Sequence, residues 1–277
     1  MNIKEILEKE VLVLKENNIQ EATSKARRLL AFTLGVSKEY LVINELLEVS
    51  IENKNVFEAY IARIIEGEPI QYILGTQEFM GIEFLVNKNV LIPQPDTEIL
   101  VEETIKLAKT MNKPKILDLC TGSGAIAVAI KKYMPEAKVW ASDISKEALK
   151  IAKQNDKENR IKFIESNLFE NIKEKFDIIV SNPPYIKTEE IKTLSKEVQN
   201  EPKLALDGGQ DGLDFYKKIV KEAIKHLNED GYLCLEIGED QREQVTKIIE
   251  QTNKYSKPQT IKDLGNNDRV IIVKFIQ

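Results

Sequence analysis

The pattern of hydrophobic and polar positions divides the chain into a helical part and a part where strands and helices alternate. Up to about residue 75, apolar residues recur at helical spacing in three stretches, near 3–14, 26–35 and 56–65. From residue 113 onward, apolar runs predict strands at 115–119, 138–142, 161–165, 176–181 and 232–237. Amphipathic stretches predict intervening helices near 124–133, 145–156 and 212–228. This alternation is typical of a doubly wound parallel sheet.

Two further segments predict antiparallel hairpins. Near the C-terminal end, strands at 258–263 and 269–275 flank the turn residues Gly265-Asn266-Asn267. Before the sheet, short strands within 78–86 and 90–92 flank the polar residues 87–89. A parallel sheet that ends in an antiparallel hairpin is unusual for a nicotinamide-binding domain.

These elements predict a domain organisation. We expect a helical-bundle domain at residues 1–75, a β-hairpin linker at 76–92 and an α/β domain at 93–277. The α/β domain is expected to be Rossmann-like, a doubly wound sheet with a C-terminal antiparallel hairpin. It should begin with a helix running to about residue 111, for which Asp96 or Thr97 is the predicted N-cap.

A turn containing two glycines follows the first predicted strand of the sheet, with Asp118 directly before it and Gly122 and Gly124 within it. Such glycines allow positive φ and a close approach by a ligand, while N–H groups at the start of the next helix point into the crevice. Asp143 ends the next strand, where a carboxylate can accept hydrogen bonds from two ribose hydroxyls. Its alternative role is an N-cap for the helix near 145–156.

The fourth predicted strand ends at Asn182-Pro183-Pro184-Tyr185. Neither proline has an N–H for a sheet ladder, and each residue before a proline is driven out of the helical region, so the strand must end there. The resulting stiff turn presents the Asn182 side-chain oxygen and the Pro183 carbonyl, which suit the two donors of a planar NH2 group. Tyr185 is expected to pack on that group or to exclude water.

The cofactor could be a nicotinamide dinucleotide or S-adenosylmethionine, because the spacing from Gly122 to Ala127 also fits a dinucleotide fingerprint. Asp118 suits a ligand carrying an ammonium and a sulfonium better than a pyrophosphate. The turn at Asn182 offers acceptors for an amine or amide. The single histidine, His226, lies late in a predicted helix, away from a proton-shuttle position. S-adenosylmethionine is therefore favoured.

At this point the sequence resembles a known family, the protein-(glutamine-N5) methyltransferases that modify peptide-chain release factors. The resemblance extends over nearly the whole chain. Asn-Pro-Pro-Tyr alone is shared with other amino-methyltransferases, whereas the ordered set of motifs is specific. That set comprises residues 67–75, 78–79, 92–98, the glycine turn, 182–185, 201–202, 205–206, 209–212 and 268–269.

The resemblance implies a class I methyltransferase fold with a helical N-terminal domain that helps hold a class 1 release factor. It implies that a glutamine side chain reaches the methyl donor through the turn at Asn182, without a metal. The implied catalytic residues are Asn182, Pro183 and Tyr185, and Pro184 joins them in binding substrate. The implied S-adenosylmethionine site comprises Asp118, Cys120, Thr121, Gly122, Ser123, Gly124, Asp143, Asn167, Leu168 and Asn182.

The chain departs from the family pattern at three places. Cys120 stands where the family usually has glycine, and Gln94 where it has arginine. Asn167 and Leu168 replace an acidic residue followed by a large aromatic one. Asn167 can still accept a hydrogen bond from an adenine amino group, and Leu168 can cover the base by apolar contact. These changes bear on affinity more than on the type of reaction.

Gly208-Gly209-Gln210 copies the tripeptide that the family's substrates carry. It lies in a segment rich in glycine and aspartate, so the favoured interpretation is a turn, with self-methylation as a remote alternative.

Composition and charge narrow the function further. The 277 residues carry a net charge of −5, and residues 1–75 hold nine basic and twelve acidic side chains. This balance argues against a basic surface for nucleic acid, so no direct nucleic-acid contact is expected. Two cysteines indicate no disulfide framework and favour the reducing cytoplasm. No apolar run approaches the roughly 18 residues of a membrane span, so no membrane insertion is expected.

Two other functions remain open. The first is methylation of an exocyclic amine of adenine or guanine in DNA or RNA, which would require a flipped base and usually a basic recognition region. The second is an adaptor that binds translation factors through the helical domain and keeps S-adenosylmethionine as a structural ligand.

Overall fold

The structure is a computed structural model that describes residues 1–276. The α-helices are α1 (Ile3–Glu16), α2 (Ala22–Leu34), α3 (Lys38–Ile43), α4 (Ile51–Ile65), α5 (Ile70–Leu74), α6 (Asp96–Ala108), α7 (Ala125–Tyr133), α8 (Lys146–Asn155), α9 (Lys196–Gln199), α10 (Lys203–Leu206), α11 (Asp214–His226) and α12 (Arg242–Glu250). The strands are β1 (Thr76–Phe79), β2 (Ile82–Leu85), β3 (Lys115–Leu119), β4 (Lys138–Asp143), β5 (Ile161–Glu165), β6 (Phe176–Ser181), β7 (Leu227–Glu236), β8 (Gln259–Lys262) and β9 (Asp268–Lys274). Within residues 1–276, no helix is both long and apolar enough to span a bilayer.

The chain forms two compact units. The first, the helical unit, contains Met1–Gly75 together with Ser195–Asn200. The second, the sheet unit, contains Thr76–Leu194 and the residues from Glu201 onward. The β1–β2 hairpin thus belongs with the sheet by its contacts.

Local signals in the sequence set the ends of helices in the helical unit. At the start of α1, the Asn2 side chain accepts from the Glu5 N–H and the Glu5 side chain accepts from the Asn2 N–H, which forms a capping box. Gly35 ends α2 with φ +65°, a left-handed conformation that glycine adopts without strain. The buried faces of these helices meet in one apolar core that includes Ile6, Leu14, Leu29, Leu30, Phe57 and Ile61.

The segment Ser195–Asn200 packs into the helical unit through polar contacts and one close backbone approach. Glu197 pairs with Lys25, whose side chain is 9% exposed. The Asn200 amide donates to the Gly67 carbonyl at 3.0 Å. A Cβ on Gly67 would lie 2.5 Å from the Lys196 Cβ, so only glycine fits there. The helical unit is therefore built from two separate stretches of chain.

The sheet unit contains a seven-stranded sheet in the order β5-β4-β3-β6-β7-β9-β8. The first five strands of that order are parallel, and β9 and β8 are antiparallel to their neighbours. The chain runs outward from β3 to β5 and then returns to β6 on the other side of β3, so the order reverses between β3 and β6. The carboxyl ends at such a switch point form the crevice where α/β sheets bind ligands.

Both faces of the sheet are covered by apolar helix faces. One core joins α6 and α7 to the sheet, with Leu100, Val101 and Ile130 fully buried. The other joins α11 and α12 to the sheet through Tyr216, Val220 and Val245. Because both faces are covered, β6 is buried along nearly its whole length rather than at alternate residues. The predicted fold class, with its parallel sheet, C-terminal hairpin and helical N-terminal region, is confirmed.

Several local predictions were wrong. The N-terminal hairpin turns at Met80 and Gly81, not at 87–89, because both residues take positive φ, 52° and 63°, and form a two-residue turn between β1 and β2. Neither Asp96 nor Thr97 caps α6, since Pro95 occupies the N-cap position and α6 begins at Asp96. The sequence analysis also missed α12, where Val245 and Ile249 are the only buried residues.

Candidate active site

A cavity of about 280 Å³ lies in the sheet unit. It receives residues from the carboxyl ends of four parallel strands, β3, β4, β5 and β6, which is the edge that the topology predicts. The predicted site residues that line it are Cys120, Gly122, Asp143, Asn167, Leu168, Asn182 and Pro184. The structure therefore brings together residues as far apart in sequence as Cys120 and Pro184.

Asp118 organises the glycine turn from inside. Its side chain is fully buried and does not line the cavity. Oδ2 accepts from the Thr121 hydroxyl at 2.5 Å and from the Ala127 N–H at 3.2 Å, while Oδ1 is buried without a partner within residues 1–276. Burial raises the pKa of Asp118 to about 7, against the effect of these two hydrogen bonds. The unpartnered oxygen leaves one strong acceptor directly beneath the turn.

Asp143 lines the cavity at the end of β4. Its Oδ2 accepts from the Gly122 N–H at 2.9 Å and its Oδ1 from the Ser145 N–H at 2.8 Å, so it ties the glycine turn to the start of α8. The N-cap of α8 is Ser145, not Asp143. Burial raises the pKa of Asp143. Each carboxylate oxygen keeps a second lone pair for a ligand hydroxyl.

Asn167 and Leu168 lie at the cavity after β5. The Asn167 amide donates to the Glu170 carboxylate at 2.7 Å. Because a carboxylate only accepts, the Asn167 oxygen faces away from Glu170 and is free to accept from a ligand amino group. Leu168 is buried with φ +48°, and Cys120 has φ +61°. Both residues therefore have a left-handed backbone conformation that residues other than glycine rarely adopt. Strain of this kind is concentrated at functional sites.

Asn182 stands at the end of β6, and its orientation is fixed by α6. The Asn182 Nδ2 donates to the Thr97 hydroxyl at 3.1 Å. Its side-chain oxygen is thereby left for a donor in the cavity that Asn182 lines. Pro183 is buried and does not line the cavity, and its carbonyl accepts no hydrogen bond within residues 1–276.

A glycine-rich loop, residues 208–212, packs against the backbone of the Asn182 turn. A Cβ on Gly208 would lie 2.7 Å from the Tyr185 Cα, and one on Gly212 would lie 2.5 Å from the Tyr185 carbonyl oxygen. The Gln241 amide donates to that carbonyl at 2.9 Å. Gly208-Gly209-Gln210 is therefore packed against the backbone of the Asn182 turn. This tripeptide, which copies the one that the family's substrates carry, has a structural role here.

Tyr185 does not line the cavity. Its ring is half-buried against the core shared with α11 and α12, and burial raises its pKa. Arg269 on β9 lies beside it and is paired with Asp96 at 3.1 Å and Asp263 at 3.0 Å. Tyr185 thus anchors the turn to the core and does not contact the cavity.

The sequence analysis missed residues that complete the site. Leu204 and Phe215 line the cavity beyond Pro184, and Glu201 accepts from the Ile92 N–H at 2.8 Å. Thr97 and Glu236 lie behind Asn182. A glutamate at the end of the apolar strand β7 is a signal that could have indicated Glu236. Four of the predicted site residues are not among those that line the cavity: Asp118, Thr121, Ser123 and Gly124.

Two protein families match this chain. Residues 95–209 match the Methyltransferase small domain, and residues 5–75 match the PrmC N-terminal domain. Among solved structures, the human Mettl16 catalytic domain in complex with an RNA hairpin has a TM-score of 0.57 at 14% identity, covering 71% of this chain and 76% of that one. A methyltransferase from Pyrococcus furiosus has a TM-score of 0.52 at 19% identity, covering 79% and 98%. At these identities the likeness shows a shared fold.

Full-length relatives are more similar. The release factor glutamine methyltransferase of Fusobacterium nucleatum is 42% identical, over 98% of this chain and 78% of the relative. That of Clostridium acetobutylicum is 40% identical, over 98% of both chains. Together with the match to both domains, this similarity shows that the chain belongs to the release factor glutamine methyltransferase family.

Proposed function

We propose that this protein transfers a methyl group from S-adenosylmethionine to the side-chain amide nitrogen of the glutamine in the Gly-Gly-Gln motif of class 1 release factors. The observation that carries the proposal is the fixed orientation of Asn182, whose NH2 group is held by Thr97 at 3.1 Å. Its oxygen is then the acceptor that a glutamine NH2 requires. The names of the relatives that share nearly the whole chain support the same substrate.

The residues of the cavity fit S-adenosylmethionine. A bound S-adenosylmethionine supplies an electrophilic methyl group on a sulfonium. Asp143 offers lone pairs for ribose hydroxyls, and Asn167 offers an acceptor for the adenine amino group. Asp118 lies outside the cavity lining, beneath the turn, and in its ionised form its unpartnered Oδ1 adds negative charge that suits a cationic ligand. Leu168 and Cys120 supply apolar surface.

The contribution of the protein to the reaction is orientation. The lone pair of an amide nitrogen is delocalised, so the nitrogen is a poor nucleophile and gains most from being held in line. Asn182 Oδ1 is the proposed acceptor for one N–H of the glutamine amide. The Pro183 carbonyl, which is outside the cavity lining but has no partner within residues 1–276, is the proposed acceptor for the other. These acceptors also stabilise the positive charge that develops on the nitrogen. After the methyl group is transferred, the nitrogen still carries two protons, and one of them leaves to solvent.

The helical unit has a separate role in this proposal. We propose that residues 1–75 form a substrate-recognition domain, residues 76–92 a linker and residues 93–277 the methyltransferase domain. The exposed apolar side chains of the helical unit, among them Val42, Ile43 and Leu46, support a protein-contacting role. We place the enzyme in the cytoplasm, where its substrate acts, and without direct nucleic-acid contact.

Tandem mass spectrometry of a class 1 release factor incubated with the protein and S-adenosylmethionine tests the proposal. We expect one methyl group on the glutamine of Gly-Gly-Gln and no dimethylated product, because two acceptors require a primary amide. A release factor with asparagine in place of that glutamine is the control, and the shorter side chain should lower turnover roughly a hundredfold. Methyl groups on co-purified RNA, with none on the glutamine, would assign the site to nucleobase amines instead.

A further inference from the structure

A buried carboxyl group that takes no part in the reaction described above lies behind Asn182. Glu236 ends β7, and its side chain is 2% exposed. In the parallel pair β6 and β7, Ser181 is opposite Leu235, so Asn182 and Glu236 follow in the same register. Glu236 Oε2 is buried and has no hydrogen-bond partner within residues 1–276. Burying a carboxyl group with one oxygen unpartnered costs free energy of folding, which suggests that Glu236 has a function.

The groups around Glu236 come from every element packed against it. Thr97 on α6 and Asn182 face it with a hydroxyl and an amide. The charged and titratable neighbours are Arg269 on β9, Asp96 on α6, Tyr185 after β6 and Tyr216 on α11. Arg269 attracts the carboxylate, while Asp96 repels it.

We propose that Glu236 is a positioning residue that fixes, directly and through Thr97, which end of the Asn182 side-chain amide faces the cavity. This inference rests on the proposed function of Asn182 as the acceptor for a glutamine amide. It assigns a role to two residues, Thr97 and Glu236, that lie outside the cavity lining.

The argument follows from the polarity of hydrogen bonds. An ionised carboxylate can only accept, so the NH2 group of Asn182 and the hydroxyl proton of Thr97 must point toward Glu236. The Thr97 oxygen is then free to accept from Asn182 Nδ2, which is the contact seen at 3.1 Å. A flipped Asn182 would place its oxygen against the carboxylate, acceptor against acceptor. The charge of Glu236 therefore selects the orientation with Asn182 Oδ1 toward the substrate.

Protonation of Glu236 removes this selection. Burial raises the pKa of Glu236 to about 7, against the opposing effects of Thr97, Arg269 and Asn182. A protonated Glu236 donates as well as accepts, so it tolerates either orientation of the Asn182 amide. The fraction of correctly oriented Asn182 should therefore rise as pH rises through about 7.

The direct test is nuclear magnetic resonance of the full chain labelled with 15N-asparagine, without donor or substrate. The Asn182 side-chain signal is assigned by its loss in Asn182→Ala. We expect this signal to shift between pH 6 and 8 with a midpoint near 7 in the wild-type protein. The shift should disappear in Glu236→Gln, which has no titrating proton. A signal that does not move, or that titrates unchanged in Glu236→Gln through another group such as Asp118, would overturn the proposal.

The kinetic test uses a matched set of threonine variants on α6. Thr97→Val keeps the volume and loses the hydroxyl, and we expect kcat to fall about tenfold or more, with the dissociation constant for S-adenosylmethionine within about twofold. Thr97→Ser restores the hydroxyl and should recover most of kcat. Thr104→Val is the control, since Thr104 is a buried hydroxyl two turns along α6 that bonds the Leu100 carbonyl at 2.7 Å. Equal kcat in Thr97→Val and Thr97→Ser would contradict the inference.

The two tests separate this inference from the proposed function. The resonance experiment measures the Asn182 amide itself and gives its answer whether or not a release factor is methylated. A titrating Asn182 signal in a protein that leaves the release factor unmodified would uphold the positioning role and reject the substrate. Normal glutamine methylation with an invariant Asn182 signal would do the reverse.

Discussion

The two turns at the centre of the sheet, after β3 and after β6, hold their polar groups in different ways. The glycine turn after β3 is held at short and moderate sequence distance. Asp118 accepts from Thr121 and Ala127, three and nine residues away, and Asp143 accepts from the Gly122 N–H, 21 residues away. The Asn182 turn after β6 is held from far along the chain, by Thr97 and by Gln241, 85 and 56 residues from their partners. The hydrogen-bond partners of the glycine turn thus lie up to 32 residues away, at Asn155, whereas those of the Asn182 turn lie 56 and 85 residues away and depend more on the assembled fold.

The largest effect is expected at the Asn182 turn. Asn182→Ala should lower kcat about a hundredfold or more, because the acceptor amide loses its orienting hydrogen bond. The dissociation constant for S-adenosylmethionine should change only a few-fold, since the glycine turn remains intact. Single-turnover kinetics and calorimetry on the same preparation measure the two quantities. Near-normal turnover in Asn182→Ala would show that Asn182 does not orient the substrate, and the two turns would then not differ in function.

The reverse pattern is expected at Asp143. Asp143→Ala should weaken donor binding by roughly 1.5–3 kcal/mol, because a charged acceptor and the link from Gly122 to Ser145 are both lost. Turnover at saturating donor should fall much less. Asp143→Asn keeps one acceptor oxygen and should lie between the two in calorimetry. Tight binding of NAD by the wild-type protein in the same experiment would overturn the cofactor assignment.

A pair of glycine variants sharpens the comparison. Gly208→Ala should cost about 1–3 kcal/mol of unfolding free energy and lower kcat, because the new Cβ overlaps the Tyr185 backbone. In Gly122→Ala the new Cβ has open space around it, so only the φ of +54° is unfavourable. This should lower the unfolding free energy by about 1–2 kcal/mol. Gly122 lines the cavity, so its variant should weaken donor binding instead. Denaturant unfolding and calorimetry compare them, and identical behaviour of the two would show that the turns are held alike.

The last prediction concerns the pH dependence of stability. The pKa of Asp118 is about 7 in the folded protein and has an ordinary value of 3.8, so the folded state binds the proton more tightly. Its contribution to stability is present at low pH and is lost as pH rises from about 4 to 7. Asp118→Asn should therefore show a flatter decline of the unfolding free energy over that range than the wild-type protein. Parallel curves from denaturant titrations at several pH values would show that Asp118 does not titrate there.

The difference between the turns also explains what the sequence could predict. The strands 115–119 and 176–181, the glycine turn and Asn182 with its prolines all carry their signals within a few residues, and the structure has them at the predicted places. The fold class followed from the alternation of these local patterns. Membership of the family rested on motifs spread along the chain, and it is confirmed by relatives about 40% identical.

Features that depend on distant partners could not be predicted. Nothing near Thr97 indicates that its hydroxyl accepts from Asn182, and nothing near Gln241 indicates a bond to the Tyr185 carbonyl. The hairpin turn was misplaced because Met80, which takes φ +52°, is not a residue type that favours this conformation. The helix α12 was missed because only two buried residues, Val245 and Ile249, mark its apolar face.

The discontinuous make-up of the helical unit has a consequence for how the protein is made. Lys25 emerges from the ribosome early, but its partner Glu197 is translated only after β3 to β6 have been completed. At about 5–20 residues per second, the interval between Gly75 and Asn200 lasts on the order of 6 to 25 seconds. During this interval the five N-terminal helices lack the segment that supplies the counter-charge of Lys25 in the finished protein. The helical unit is therefore completed by a segment that is translated after the Asn182 turn.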